Sequence, residues 1–280
     1  MTVPDKIRIG VFDSGFGGLT VLRALLPQIP TAEFFYLGDT ARLPYGSKSQ
    51  ATVARYAVES AQLLESYGAD YLVIACNTAS ALALDSIKSA AHVPVIGVIE
   101  TGADSAAAAS ITRNVLVLAT QATVDSHAYA RACAAHGLWS VEKACPLLVP
   151  LIEEGWIDSD VTREVLRIYL EQAQMEAKTA GMALDTVLLG CTHYPLLRGL
   201  LRESLPINVT ILDSAESTAQ RVHAQIASLN SLPESVTDAE KASNPVCHFF
   251  ATDSVEKFRT LGSRFLGRPI EKVELIDLGG

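Results

Sequence analysis

Short apolar runs alternate with longer stretches of mixed polarity along this chain. Residues 7–12, 33–38, 71–75, 115–119, 187–190, 209–212 and 247–251 are such runs, and 94–99 and 141–145 are weaker ones. Runs this short, apolar on both faces, predict buried strands. Helices are predicted between them. They cover 19–26, stopped by Pro27; 49–67, stopped at Gly68; the stretch from Cys76 to about residue 91; and 106–109. Others follow Thr123 to about His136, span 159–179, open at Pro195, and cover 215–228 and 254–266. Residues 230–244 are polar and turn-rich, which predicts a surface loop. Strands alternating with helices make an α/β fold with parallel sheets. Ligands of such sheets sit beyond the carboxyl ends of the strands. The informative positions are therefore Asp13-Ser14, Asp39-Thr40, Cys76-Asn77-Thr78, Thr120, Cys191-Thr192-His193 and Asp213-Ser214.

Two of those strand ends repeat one another. Tyr71-Leu72-Val73-Ile74-Ala75 runs into Cys76-Asn77-Thr78, and Thr186-Val187-Leu188-Leu189-Gly190 runs into Cys191-Thr192-His193. The cysteines stand 191 − 76 = 115 residues apart, about one small α/β lobe. The repeat predicts two similar lobes, each presenting one thiol, with the chemistry between them. A sulfur between a strand end and a helix start meets free N–H groups and the positive end of the helix dipole, which should lower its pKa. Two such thiols facing one carbon can act as acid and base on opposite faces, so that configuration inverts.

Other readings compete. A cysteine is commonly a small buried hydrophobe, and Cys133, Cys145 and Cys247 are read that way. Zinc on Cys76, Cys191 and His193 matches no usual ligand spacing, and a Cys-His-Asp hydrolase leaves Cys76 unexplained. Gly15-Phe16-Gly17-Gly18 resembles a dinucleotide loop with Asp39 as the ribose acid, but the third glycine would fall at Thr20. The same glycines could instead let backbone amides approach a small carboxylate. Asp13 would then stand near an ammonium, with Ser14, Asn77, Thr78 and Thr192 as neutral donors. Helix capping is the plain alternative for Ser14, Asn77 and Thr192. Glu153-Glu154 before Gly155 is read as a solvated loop, or as a carboxylate partner for His193.

The 280 residues are 49% hydrophobic, enough for a substantial core. A net charge of -9 argues against a nucleic-acid partner. No apolar stretch is long enough for a membrane span, and no signal peptide is evident. Five scattered cysteines without a CxxC suit free thiols in a cytoplasmic, reducing setting.

Several segments resemble the glutamate racemase family. They are Ile9-Gly10-Val11-Phe12-Asp13-Ser14-Gly15-Phe16-Gly17-Gly18-Leu19-Thr20, Leu37-Gly38-Asp39-Thr40-Ala41-Arg42-Leu43-Pro44-Tyr45-Gly46, Ala75-Cys76-Asn77-Thr78-Ala79-Ser80 and Leu189-Gly190-Cys191-Thr192-His193-Tyr194-Pro195-Leu196-Leu197. The resemblance implies interconversion of L- and D-glutamate without PLP, metal or other cofactor, supplying D-glutamate for peptidoglycan. It makes Cys76 and Cys191 the catalytic thiols, the first acting on D-glutamate and the second on L-glutamate. Asp13, Ser14, Tyr45, Gly46, Asn77, Thr78, Thr192 and His193 become the substrate-binding residues. It further implies a cytoplasmic homodimer with residues 1–98 and 208–280 in one lobe and 99–207 in the other. The chain departs from the family at Thr101, where a proline often stands. It also lacks the N-terminal extension of members activated by a cell-wall precursor, so that regulation is not expected. The alternatives are a racemase of another acidic amino acid such as aspartate, or a non-catalytic amino-acid- or NAD-binding protein. Similar aspartate racemases tend to carry an acidic residue where His193 stands.

Overall fold

The computed structural model describes residues 6–228 and 245–278; the expected loop at 230–244 lies outside them. The strands are β1 Arg8–Asp13, β2 Glu33–Gly38, β3 Tyr71–Ile74, β4 Val95–Gly97, β5 Asn114–Ala119, β6 Trp139–Ala144, β7 Thr186–Gly190, β8 Thr210–Asp213, β9 Val246–Ala251 and β10 Glu274–Leu275. The helices are α1 Leu19–Gln28, α2 Gln50–Ser66, α3 Asn77–Leu82, α4 Leu84–Ala90, α5 Val98–Ala109, α6 Gln121–Asp125 and α7 Ala128–Ala135. They continue with α8 Leu148–Glu153, α9 Asp160–Thr179, α10 Arg198–Ser204, α11 Ala215–Ser228 and α12 Val255–Leu266. Among the described residues no helix is long and apolar enough to cross a membrane.

Two parallel sheets form, ordered β10-β9-β2-β1-β3-β4 and β6-β5-β7-β8. The second repeats the order of β2-β1-β3-β4, so β3 and β7, which precede the two cysteines, occupy the same place in each sheet. Both are buried along their whole length because helices cover both sheet faces. The repeat also accounts for a correction. The return to the first lobe was expected at residue 208, but β8 pairs with β7, Thr186 against Thr210 through Leu189 against Asp213. It takes the place that β4 takes in the first sheet. The chain returns through α11, which packs on both α1 and α5, and then adds β9 and β10 to the first sheet.

Local chemistry sets several helix ends. The Ser49 and Ser159 side chains accept the amides of Thr52 and Thr162 to cap α2 and α9. Gly68 and Gly267 take left-handed φ values of +88° and +77° just after α2 and at the end of α12. Other boundaries differ from expectation. Helix α1 continues past Pro27, which sits in its last turn where a missing N–H costs one bond. Val98 and Ile99 open α5 instead of prolonging β4. The helices expected after Cys76 and Thr123 each break once, at Ala83 and at His127, whose φ is +52°. A 3-10 turn, Tyr194–Leu197, precedes α10, and α8 and β10 were not anticipated.

Candidate active site

Residues following β1, β3, β5 and β7 meet around one cavity of about 380 Å³. Ser14, Cys76, Asn77 and Thr78 reach it from the first sheet, and Thr120, Cys191, Thr192 and His193 from the second. Tyr45 and Gly46 line it from a 3-10 turn, Tyr45–Ser47. Asp13 stands one layer back, fully buried: its Oδ2 accepts the Gly15 amide at 2.9 Å, and its Oδ1 has no partner among the described residues.

Each sulfur has its own surroundings. Cys76 caps α3, with the Ala79 N–H donating to Sγ at 3.4 Å and Sγ 3.5 Å from Ser14 Oγ. Cys191 Sγ lies 4.0 Å from His193 Nδ1. His193 Nε2 is 3.3 Å from Glu153 Oε1, and Lys257 Nζ donates to the other oxygen of that carboxylate at 3.0 Å. Phe265 packs edge-on against the imidazole, 5.1 Å between centroids. Buried Asp39 fixes the Tyr45 turn by accepting from Tyr45 Oη at 2.5 Å, Arg42 Nε at 2.7 Å and Thr252 Oγ1 at 3.0 Å.

The glycine cluster after β1 is closely packed at Gly17 and Gly18. A Cβ on Gly17 would strike Thr192 Oγ1 and come within 2.6 Å of His193 Nδ1. One on Gly18 would come within 2.6 Å of Asp13 Cβ and 2.9 Å of Ala75 Cβ. These two glycines admit the opposite lobe and the neighbouring strand end. Gly46 is likewise pressed against Thr120. Hydroxyls of Thr78, Thr120 and Thr123 close the lobe boundary, 2.9 to 3.3 Å apart.

Residues 17–222 match the family model described as Asp/Glu/Hydantoin racemase. The chain belongs to that racemase family. A glutamate racemase of Koribacter versatilis is 53% identical over 97% of this chain and 98% of its own. A glutamate racemase from Francisella tularensis, solved in complex with D-glutamate, has a TM-score of 0.85 at 33% identity, covering 98% of each chain. One from Bacillus anthracis reaches 0.87, also at 33% identity, over 99% of each.

The racemase cavity is electrostatically uneven. Burial pushes the Cys76 thiol up to about 12, and the Asp13 charge adds to this. The Ser14 hydroxyl and the amides of Ala79 and Ser14 oppose the shift without reversing it. The lowered pKa expected at a helix start is thus overruled at Cys76. Burial alone would lower His193, but hydrogen bonds and charge from Cys191 and Glu153 lift it to about 10. Burial raises Glu153, and His193 and Lys257 outweigh it, so that carboxyl is lowered overall. Burial raises Asp13, against the His193 charge and the amides of Gly15 and Gly18. One wall of the racemase therefore presents a protonated thiol, and the other a sulfur beside an imidazolium.

Glu153 is the racemase residue that the sequence left undecided, because Pro146 precedes α8 and Pro150 sits in its first turn. The spacing of Leu148, Leu151 and Ile152 was the available signal. Cys133 and Cys145 are buried and Cys247 half-buried, all three free thiols. Among the described residues no three His, Cys, Asp or Glu side chains converge as a metal site.

Proposed function

We propose that this racemase interconverts L- and D-glutamate by a two-thiol acid/base mechanism without PLP or metal. One observation carries the reading: Cys76 and Cys191 leave equivalent strands of like-ordered sheets and line one cavity. Starting from L-glutamate, Cys191 takes the Cα proton as a thiolate beside the His193 imidazolium. The electron pair remains on Cα, and the Cys76 S–H gives its proton to the opposite face. The Ser14 hydroxyl and the Ala79 amide then stabilise the new Cys76 thiolate. The reverse reaction exchanges the roles, and no atom is gained or lost. Ser14, Asn77, Thr78 and Thr192 donate to the carboxylates, the Tyr45-Gly46 turn closes the wall, and Asp13 supplies negative charge that draws the ammonium to the Cys76 side.

Glutamate is favoured over aspartate because the relatives similar over nearly the whole chain are named glutamate racemases and because position 193 is histidine. Family membership supports the wider setting, a cytoplasmic homodimer supplying D-glutamate for peptidoglycan. The test is proton NMR of L-glutamate in D2O with purified protein, a chelator and no PLP, alongside circular dichroism of the substrate. The α-proton signal and the optical signal should decay together, and Cys76→Ala or Cys191→Ala should each abolish the decay. Full racemisation by either variant would overturn the mechanism, and faster turnover of aspartate would overturn the substrate.

A further inference from the structure

We propose that Tyr129 is a positioning residue that couples the two cysteine-bearing strand ends and orients the Asn77 amide for a substrate carboxylate. The inference rests on the racemase reading above. Tyr129 lies on α7 of the second lobe and is fully buried. Its ring fills the space beside Gly190, the residue before Cys191, where a Cβ would come within 2.8 Å of Tyr129 Cε2. Its hydroxyl crosses to the first lobe and donates to Oδ1 of Asn77, the residue after Cys76, at 2.6 Å. A Cβ on Gly102 of α5 would stand 3.3 Å from the same hydroxyl. One side chain therefore touches the backbone before one cysteine and the side chain after the other.

The hydroxyl also decides which end of an amide faces the cavity. An Asn amide has an acceptor oxygen and a donor nitrogen of nearly the same shape. With Oδ1 taken by the phenol, Nδ2 is left to face the cavity that Asn77 lines. Among the described residues Nδ2 makes no hydrogen bond, and it is not among the sealed-off polar atoms. An amide held this way donates to a carboxylate; turned over, it would present an oxygen and repel one. Burial pushes the Tyr129 phenol well above its ordinary range, so it remains a donor.

Tyr129→Phe keeps the ring against Gly190 and removes the hydroxyl. KM for both enantiomers should rise about three- to tenfold, the size of one hydrogen bond, while kcat stays near wild type. In an Asn77→Ala background the same replacement should change KM no further, because the amide it orients is gone. Asn77→Ala alone, with the tyrosine in place, should give a comparable rise in KM. The proposal is overturned by a folded Tyr129→Phe variant with wild-type KM, by effects that add independently, or by an unchanged KM in Asn77→Ala. A wild-type protein that neither racemises nor binds glutamate would instead overturn the functional reading beneath it.

Discussion

Replacing Glu153 with glutamine tests the charge arrangement around Cys191. Glu153 accepts from His193 and from Lys257 through different oxygens. The glutamine retains the side chain's shape and removes its charge, leaving the Lys257 ammonium near the imidazolium without an anion between them. A hydrogen bond to a charged group contributes about 1.5–3 kcal/mol, which is about one to two pKa units. His193 should therefore fall from about 10 to about 8 or 9. The alkaline limb of kcat/KM reports groups of the free enzyme and should move acidward by the same interval. Cys76, held at about 12, titrates above that window and does not mask the shift. Stability provides a second reading. Because His193 is raised from 6.5 to about 10, its stabilisation is complete below pH 6.5 and is lost as pH rises through about 10. Thermal melts of the wild type should weaken across that window, and those of Glu153→Gln should weaken less. The assay is circular dichroism of glutamate in both directions from pH 6 to 10.5. An alkaline limb that stays in place or moves to higher pH would refute the assignment.

Gly17→Ala should lower kcat/KM far more than stability. The added methyl would press on Thr192 and His193, and overpacking costs about 1–3 kcal/mol in a denaturant melt, whereas a displacement of about 1 Å at a reacting group can cost about a hundredfold. Equal losses in rate and stability would show that the contact is only structural. Tyr45→Phe removes one of three donors to buried Asp39 and should destabilise by about 1–3 kcal/mol while raising KM, because the turn lines the cavity. A wild-type KM would mean that Arg42 and Thr252 suffice to hold the turn.

Much of this arrangement could be read from local pattern. β2 and α11 fall on their expected residues because an apolar run between turn formers and a periodic stretch after Asp213-Ser214 contain their own boundaries. Both cysteines were legible because a strand end is marked where apolar residues give way to small polar ones. Long-range packing was hidden. Nothing near residues 209–212 tells whether that strand joins the first sheet or the second; the choice depends on the place left beside β7. The glycine cluster suggested ligand contact, yet what abuts Gly17 is Thr192 and His193, about 175 residues away. Tyr129 had no local signal, because a tyrosine on a helix declares its partner only once the lobes have met. The Cys76 thiol was misjudged for a related reason: the helix start is visible in sequence, and the burial that overrides it is not.

The shared strand order has a kinetic consequence. Enantiomers in an achiral solvent have equal free energy, so kcat/KM must be the same in both directions of the proposed reaction. The duplicated sheets present matching strand ends, but their flanks are unlike, Ser14 and the Ala79 amide on one side and His193 with Glu153 on the other. That difference cannot favour one product at equilibrium. It can only divide a fixed ratio, so that whichever enantiomer binds more tightly turns over more slowly by the same factor. Alterations confined to one flank should therefore shift kcat and KM for the two directions unequally while the two ratios fall together.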